Sequence, residues 1–309
     1  MGAFGSYEKA FCLGHSLTTN VGKQSSASFG TYLNESDTQS ESILVIDSGV
    51  GGLSICQSIL AQQPTLQIIY FADNAFFPYG LLPEEALSVR LKYIVEKMLA
   101  LHQPKLVVLA CNTVSTLVLP ELRSLFAIPF VGVVPAIKPA AIISKTKRLG
   151  LLATPATVLR PYTDQLILDY AKDCEVIKVG SNELVVEAES LLNDQTVNKQ
   201  VIDHVLAPFR SSEESLGVDT IVLGCTHFPL LKKYLSESLP GVNWVDSGNA
   251  IANRVSHLLA GLAEPLTARD SVVNKAHQLY FSKPIEHKAE FTNGLLSLGF
   301  KSFEFHYLT

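Results

Sequence analysis

Two cysteines stand at matching positions in the two halves of the sequence, each at the end of an apolar run. The runs are "VVLACNT" at 107–113 and "IVLGCTH" at 221–227, and their thiols are those of Cys111 and Cys225. Both patterns predict a buried strand that ends at the cysteine and turns into a helix. In open α/β sheets, ligands bind at the carboxyl ends of strands, and a helix N-terminus lowers the pKa of a thiol. We therefore expect two accessible, partly ionised thiols.

These patterns leave several kinds of chemistry open. Both thiols could be small buried hydrophobic groups, since free cysteine is often buried. Together with Asp47 and His227 they could ligate a metal, but the chain has no C-x-x-C or H-x-x-x-H spacing. A redox disulfide between the two cysteines likewise lacks the support of a C-x-x-C spacing. A nucleophile and base formed by Cys225 and His227, as in a hydrolase, leaves Cys111 without a role.

One further chemistry uses both thiols. Inversion of a stereocentre without a cofactor needs one group that removes a proton from one face and another that delivers a proton to the opposite face. A thiol, with an ordinary pKa of about 8.5, can serve in either role near neutral pH. The pair therefore favours an enzyme that inverts a carbon centre. The alternative outside enzymes is a non-catalytic protein that binds an amino acid.

Other polar residues follow predicted strands and are candidates for holding a ligand beside the thiols. Asp47 ends the strand "ILVID", and the glycines of the "GVGG" that follows at 49–52 would let backbone N–H groups approach a small anion. Asn112 and Thr113 are either helix caps or donors to a carboxylate. The remaining candidates in turns, at strand ends and at helix starts are Tyr79, Gly80, Thr154, Thr157, Glu183 and His227.

Strands and helices alternate along the chain, which predicts an α/β fold. Strands are expected at 43–47, 66–73, 105–111, 129–134, 148–154, 174–180, 218–225 and 243–247. Helices are expected within 49–63 and at 83–102, 158–173, 182–193, 198–209, 229–239 and 248–262. A strand, a helix and a closing strand follow towards the C-terminus. The echo between the cysteine motifs indicates two similar domains with mainly parallel sheets and a site in the cleft between them.

Composition argues against some classes of partner and compartment. A net charge of −5 over 309 residues gives no electrostatic reason to expect nucleic acid or an anionic membrane. No apolar run reaches bilayer length, and the N-terminus does not resemble a secretory signal. Five irregularly spaced cysteines indicate a reducing cytoplasm. Residues 1–42, rich in Ser, Thr and Gly, are expected to be a flexible polar extension.

Taken together, the motifs resemble the glutamate racemase family. Those that carry the resemblance are "DSGVGGLS" (47–54), "DNAFFPYG" (73–80), "ACNTVST" (110–116), "VGVVPAIKPA" (131–140), "GLLATPATV" (150–158), "GSNELVVEAE" (180–189), "LGCTHFPLL" (223–231) and "VDSG" (245–248). The resemblance implies cofactor-independent interconversion of L- and D-glutamate, which supplies D-glutamate for peptidoglycan. Related racemases of aspartate or hydantoins are the nearest rivals.

The resemblance also implies a set of site residues and no metal site. Cys111 and Cys225 would be the catalytic thiols, the first acting on D-glutamate and the second on L-glutamate. Asp47, Glu183 and His227 would assist them. Glutamate would be bound by Asp47, Ser48, Tyr79, Gly80, Asn112, Thr113, Thr154, Thr157, Thr226 and His227.

The domain organisation follows from the same resemblance. The first α/β domain would comprise residues 43–134 and 246–309, and the second would comprise residues 135–245. The chain would cross between them near Pro135 and return near Asp246.

Two features set this chain apart within the family it resembles. Ala153 stands where many members have glycine, although Thr154 and Thr157 of the same motif are retained. The long polar extension and "GSNE" at 180–183 resemble a subgroup that a UDP-muramyl peptide activates. We therefore expect such an activator, acting on a monomer or homodimer.

Overall fold

The computed structural model describes residues 42–193, 196–210, 217–262, 276–286 and 288–308. The predicted extension lies outside these ranges, except for Ser42, which begins the first strand. Two sheets with helices on their faces form the described part of the chain, and every pair of neighbouring strands in them is parallel. The predicted α/β class with mainly parallel sheets is confirmed.

The strands, in chain order, fall close to their predicted positions. They are β1 (Ser42–Asp47), β2 (Gln67–Ala72), β3 (Val107–Leu109), β4 (Phe130–Gly132), β5 (Arg148–Ala153), β6 (Glu175–Gly180), β7 (Thr220–Leu223), β8 (Asn243–Val245), β9 (His277–Phe281) and β10 (Phe303–Tyr307). The first sheet has the order β10-β9-β2-β1-β3-β4, and the second has the order β6-β5-β7-β8.

Helices cover both faces of these sheets. They are α1 (Leu53–Gln62), α2 (Glu84–His102), α3 (Asn112–Leu125), α4 (Ile137–Ile143), α5 (Pro155–Val158), α6 (Pro161–Tyr170), α7 (Glu183–Leu192), α8 (Lys199–Leu206), α9 (Lys232–Ser238), α10 (Gly248–Leu262) and α11 (Lys288–Ser297). None of the described helices has both the length and the apolar character needed to cross a membrane.

The first sheet is buried on both faces because successive side chains of a strand point to opposite sides. Along β1, Ile43 and Val45 pack in one core with side chains of α1 and α10. Leu44 and Ile46 pack in the opposite core with side chains of α2 and α3. Such continuous apolar strands are typical of parallel sheets covered by crossover helices. Burial on both faces leaves the strand ends as the places where polar side chains can meet a ligand.

The second sheet is built in the same way. Leu149 and Leu151 of β5 pack towards α4 and α6, whereas Leu152 packs with side chains of α7 and α8. Both sheets belong to one compact unit. The division into domains at Pro135 and Asp246 therefore stays a prediction.

Two helices differ from the sequence prediction because of proline. The helix expected at 158–173 begins later, at Pro161, which occupies the first position of α6, and the short α5 precedes it. Proline lacks the N–H that continues a helix but suits a first turn. The helix expected at 229–239 begins instead as a 3₁₀ segment, Phe228–Leu231, before α9.

Candidate active site

A cavity lies where the carboxyl ends of the two sheets meet, and both cysteines line it. The structure brings most of the predicted residues together around it. Those from the first sheet and its connections are Ser48, Tyr79, Gly80, Cys111, Asn112 and Thr113, and those from the second are Thr154, Thr157, Cys225, Thr226 and His227.

Cys111 follows β3 and is the N-cap residue of α3, as the turn from strand to helix predicts. Cys111 is a free cysteine that is half-buried as a residue. Burial of the sulfur and the nearby Asp47 raise the pKa of Cys111, although the N–H groups of Val114 and Thr113 act in the opposite direction. The expectation of a lowered thiol pKa is therefore wrong for Cys111, because desolvation outweighs the helix N-terminus.

Cys225 lies two residues beyond β7, and this free cysteine is 7% exposed as a residue. Its sulfur lies 3.7 Å from Nδ1 of His227. On the other side of the ring, Nε2 of His227 lies 2.8 Å from Oε1 of Glu189 in α7. The imidazole therefore bridges a thiol and a carboxylate.

The protonation of His227 follows from these two neighbours. Burial by itself would lower the pKa of His227, but its contacts with Cys225 and Glu189 outweigh burial and raise that pKa well above its ordinary value. The raised pKa favours the imidazolium form, in which both ring nitrogens donate. An imidazolium beside a sulfur stabilises negative charge on it.

Asp47 is not among the residues that line the cavity, and its direct contact with substrate stays a prediction. Its carboxylate is wholly buried. It accepts hydrogen bonds from the N–H of Ser48 at 2.5 Å and from the hydroxyl of Thr226 at 3.2 Å. Burial raises the pKa of Asp47, partly offset by His227. Asp47 thus holds two residues of the cavity wall, one from each half of the chain.

The glycine loop after β1 makes room for the second sheet's side chains. A Cβ on Gly51 would overlap the ring of His227, and a Cβ on Gly49 would overlap the carboxylate of Glu189. The N–H of Val50 donates to Oε1 of Glu189 at 2.8 Å. The loop was predicted to bind an anion through its backbone N–H groups, and the N–H of Val50 binds a carboxylate of the chain itself.

Three threonine hydroxyls from both halves meet at one wall. The hydroxyl of Thr113 lies 3.5 Å from that of Thr154 and 3.3 Å from that of Thr157. Thr154 also caps α5, as its type predicts. Nearby, Oδ1 of Asn112 is buried with no hydrogen-bond partner among the described residues. A buried unpaired acceptor in a cavity wall is suited to a ligand that donates a hydrogen bond.

Comparison with known proteins agrees with this geometry. The model of the Asp/Glu/Hydantoin racemase family matches residues 43–255. This chain belongs to that family. A glutamate racemase of Shewanella loihica is 42% identical over 84% of this chain and 99% of that protein. One of Pectobacterium carotovorum is 48% identical over 74% of this chain and 80% of that protein.

Solved structures of racemases share the fold. A crystal structure of Escherichia coli glutamate racemase, in complex with L-glutamate and the activator UDP-MurNAc-Ala, has a TM-score of 0.78 and 40% identity, covering 87% of this chain and 98% of that one. A glutamate racemase of Bacillus anthracis has a TM-score of 0.72 and 26% identity, covering 88% and 98%.

Besides Asp47, a second predicted site residue of this racemase-family chain is not among the cavity-lining residues. Glu183, the first residue of α7, lines a separate groove with Ser181 and His204. The carboxylate that reaches His227 is that of Glu189, which the sequence analysis missed. Glu189 lies one helical turn beyond Val185, a cavity-lining residue, and residues four apart share a helix face. This four-residue spacing could have pointed to Glu189, but only if the face of α7 that meets the cavity had been known.

Proposed function

We propose that this chain interconverts L- and D-glutamate without a cofactor, with Cys111 and Cys225 as the two acid/base groups. The observation that carries the proposal is that two free thiols, one from each sheet, line the same cavity. Membership of the racemase family and the glutamate racemases at 42–49% identity support the substrate.

The proposed reaction moves two protons in one cycle. The thiolate of one cysteine takes the α-proton of glutamate and becomes a thiol. The thiol of the other cysteine gives its proton to the opposite face of the same carbon and becomes a thiolate. The product has the inverted configuration, and the two sulfurs have exchanged protonation states, so the enzyme is then ready for the reverse reaction.

The surroundings of the two sulfurs support an unequal pair. The raised pKa of Cys111 keeps its thiol protonated at neutral pH. Nδ1 of His227, whose pKa is raised, lies 3.7 Å from the sulfur of Cys225. This arrangement prepares Cys225 to remove a proton and Cys111 to supply one. By the family resemblance, that is the direction from L- to D-glutamate.

The polar wall supports recognition of an amino acid. Oδ1 of Asn112, which has no partner among the described residues, would accept from the α-ammonium group. The hydroxyls of Ser48 and Thr226 donate their single protons to Asp47, so their oxygens would act as acceptors. The hydroxyls of Thr113 and Thr154 would donate to a carboxylate of the substrate.

An exchange experiment tests this function directly. The protein is incubated in D₂O with L-glutamate, and in parallel with L-aspartate, without added cofactor, and α-deuterium and optical rotation are followed. We expect interconversion of glutamate, abolished in both Cys111→Ala and Cys225→Ala. Cys174→Ala, which removes a thiol outside the cavity wall, is the matched control and should retain the rate.

Each rival has its own outcome in that experiment. A hydrolase would tolerate Cys111→Ala, a binding protein would show no exchange, and an aspartate racemase would prefer the shorter substrate. Racemisation at the original rate in the Cys111→Ala protein would overturn the two-thiol mechanism.

The wider role is part of the same proposal. D-glutamate made in the cytoplasm would supply peptidoglycan synthesis, and a UDP-muramyl peptide would activate the enzyme. The Escherichia coli relative, 40% identical, forms a complex with UDP-MurNAc-Ala, which supports the activator. Racemisation rates with and without UDP-MurNAc-Ala test it, and equal rates would reject it. The two proposed domains, 43–134 with 246–309 and 135–245, would enclose the substrate between them.

A further inference from the structure

The turn Tyr79–Leu81 forms part of the cavity wall and is tied to a buried carboxylate. Tyr79 is 1% exposed and lines the cavity together with Gly80. Its hydroxyl donates to Oδ2 of Asp73 at 2.9 Å. Because Gly80 is the next residue in the chain, the position of the Tyr79 side chain determines where Gly80 meets the ligand.

Asp73 is wholly buried at the end of β2 and is held from two directions. Its N–H donates to the carbonyl of Asp47 at 2.8 Å. Its carboxylate receives a two-pronged contact from Arg90 of α2, with Nε 3.0 Å from Oδ2 and Nη2 2.7 Å from Oδ1. Charge-assisted bidentate contacts of this kind are stronger and more directional than neutral hydrogen bonds.

Arg90 is itself well fixed. Its side chain is only 15% exposed, and its guanidinium carbon lies 4.4 Å from the centre of the Phe76 ring. Without the guanidinium, the buried Asp73 would lose its cationic partner, a costly state for a carboxylate inside a protein. The Tyr79 hydroxyl would then donate to a carboxylate whose position is no longer fixed.

We propose that Arg90 is a positioning residue for the racemisation reaction, acting through Asp73 to hold Tyr79 and Gly80 against the substrate, an inference that rests on the proposed function. Arg90 touches neither the cavity nor the thiols among the described contacts. Arg90 contributes by fixing the position of the cavity wall that Tyr79 and Gly80 form. Lysine cannot replace it, since an ammonium group is a point charge and lacks the planar fork.

Kinetics of Arg90→Lys test this role. A loosened wall weakens glutamate binding in the ground state and transition state alike, so KM should rise about tenfold for both enantiomers while kcat changes less. Arg148→Lys is the matched control, because Arg148 is 21% exposed and pairs with Glu175 at 3.1 Å at the amino end of β5. That variant should keep the KM of the parent.

A double-mutant cycle identifies the route of the effect. If Arg90 acts through the Tyr79 hydroxyl, Arg90→Lys combined with Tyr79→Phe should be no worse than the poorer single variant. Independent, additive losses would contradict the route. A lowered kcat with unchanged KM in Arg90→Lys would indicate only a loss of folded enzyme and would overturn the proposal.

A readout without substrate separates this inference from the proposed function. In protein labelled with 3-fluorotyrosine, the Tyr79 resonance is assigned by its absence in Tyr79→Phe. It should shift in Arg90→Lys and stay in place in Arg148→Lys. If the parent protein does not interconvert glutamate, the proposed function is wrong, and the fluorine resonance still decides whether Arg90 holds Tyr79; an unmoved resonance refutes that.

Discussion

Oε1 of Glu189 lies 2.8 Å from Nε2 of His227 and 2.8 Å from the N–H of Val50. One carboxylate oxygen of α7 therefore joins the histidine beside Cys225 to the glycine loop of the first sheet. The contact fixes the orientation of the imidazole and contributes to its raised pKa. It also explains why the loop carries glycine on both sides of Val50.

The first prediction concerns the charge of this carboxylate. Glu189→Gln removes a negative charge that raises the pKa of His227, so that pKa should fall and the imidazolium should be lost nearer to neutral pH. We expect kcat from L-glutamate to drop about tenfold or more. An NMR titration of His227 and initial rates measure the two effects.

Two further variants make that test specific. Glu187→Gln is the control on the same helix, since Glu187 accepts from the N–H of Asn198 at the surface. The sequence alone assigned the assisting role to Glu183, which predicts that Glu183→Gln loses kcat instead. Full activity in Glu189→Gln, with loss in Glu183→Gln, would reverse our interpretation of the structure.

The second prediction tests the close approach at the glycine loop. Gly51→Ala places a methyl group where the ring of His227 lies, and displacement of a catalytic group by about 1 Å can cost about a hundredfold in rate. We expect kcat/KM to fall by that order while the protein stays folded by circular dichroism. Gly261→Ala, in α10 with open space around it, should keep its activity. Equal activity of the two variants would exclude the steric argument.

The third prediction concerns the stability cost of Asp47. Its raised pKa means that, above pH 3.8, the unfolded chain releases the proton first, so the free energy of unfolding falls as pH rises through the folded pKa. Asp47→Asn removes this penalty and should stabilise the fold at neutral pH by about 1 kcal/mol, with a loss of activity. Chemical denaturation at acidic and neutral pH measures the change.

Asp219 provides a control of opposite sign. Burial would raise the pKa of Asp219, but hydrogen bonds from Ser144, Thr146 and Lys145 lower it to about 2. Its stability contribution is present above the unfolded pKa and is lost in acid. Asp219→Asn should therefore destabilise the protein at neutral pH. Destabilisation by both variants would show that lost hydrogen bonds, not the charge of Asp47, dominate.

The fourth prediction concerns the protonation of Cys111 in the absence of added substrate. Its raised pKa predicts a thiol at neutral pH, so Cys111→Ser should leave the thiolate ultraviolet absorbance at neutral pH unchanged and remove a step only under alkaline conditions. Cys174→Ser controls for a cysteine outside the cavity. A loss of neutral-pH absorbance in Cys111→Ser would mean that Cys111 is the ionised partner.

Much of the fold and the pairing of the thiols could be predicted because their signals are local. Apolar runs such as that before Cys111 define strands, and the carboxyl ends of parallel strands gather at one edge whatever the details of packing. The duplicated motif at Cys225 then indicated a second sheet with the same arrangement. Proline positions also carry local information, and the break at Pro161 could have been anticipated from its missing N–H.

Other features depended on how distant segments pack. The rotation of α7 about its axis decides that Glu189, rather than Glu183, meets His227, and burial from both halves raises the pKa of Cys111 against the local effect of the helix. The tie between Arg90 and Asp73 joins residues with no motif in common. By itself the sequence determined the α/β fold and the residue types that line its strand ends. Only the tertiary structure decided their partners and charges, because desolvation and hydrogen bonding are properties of the packed molecule.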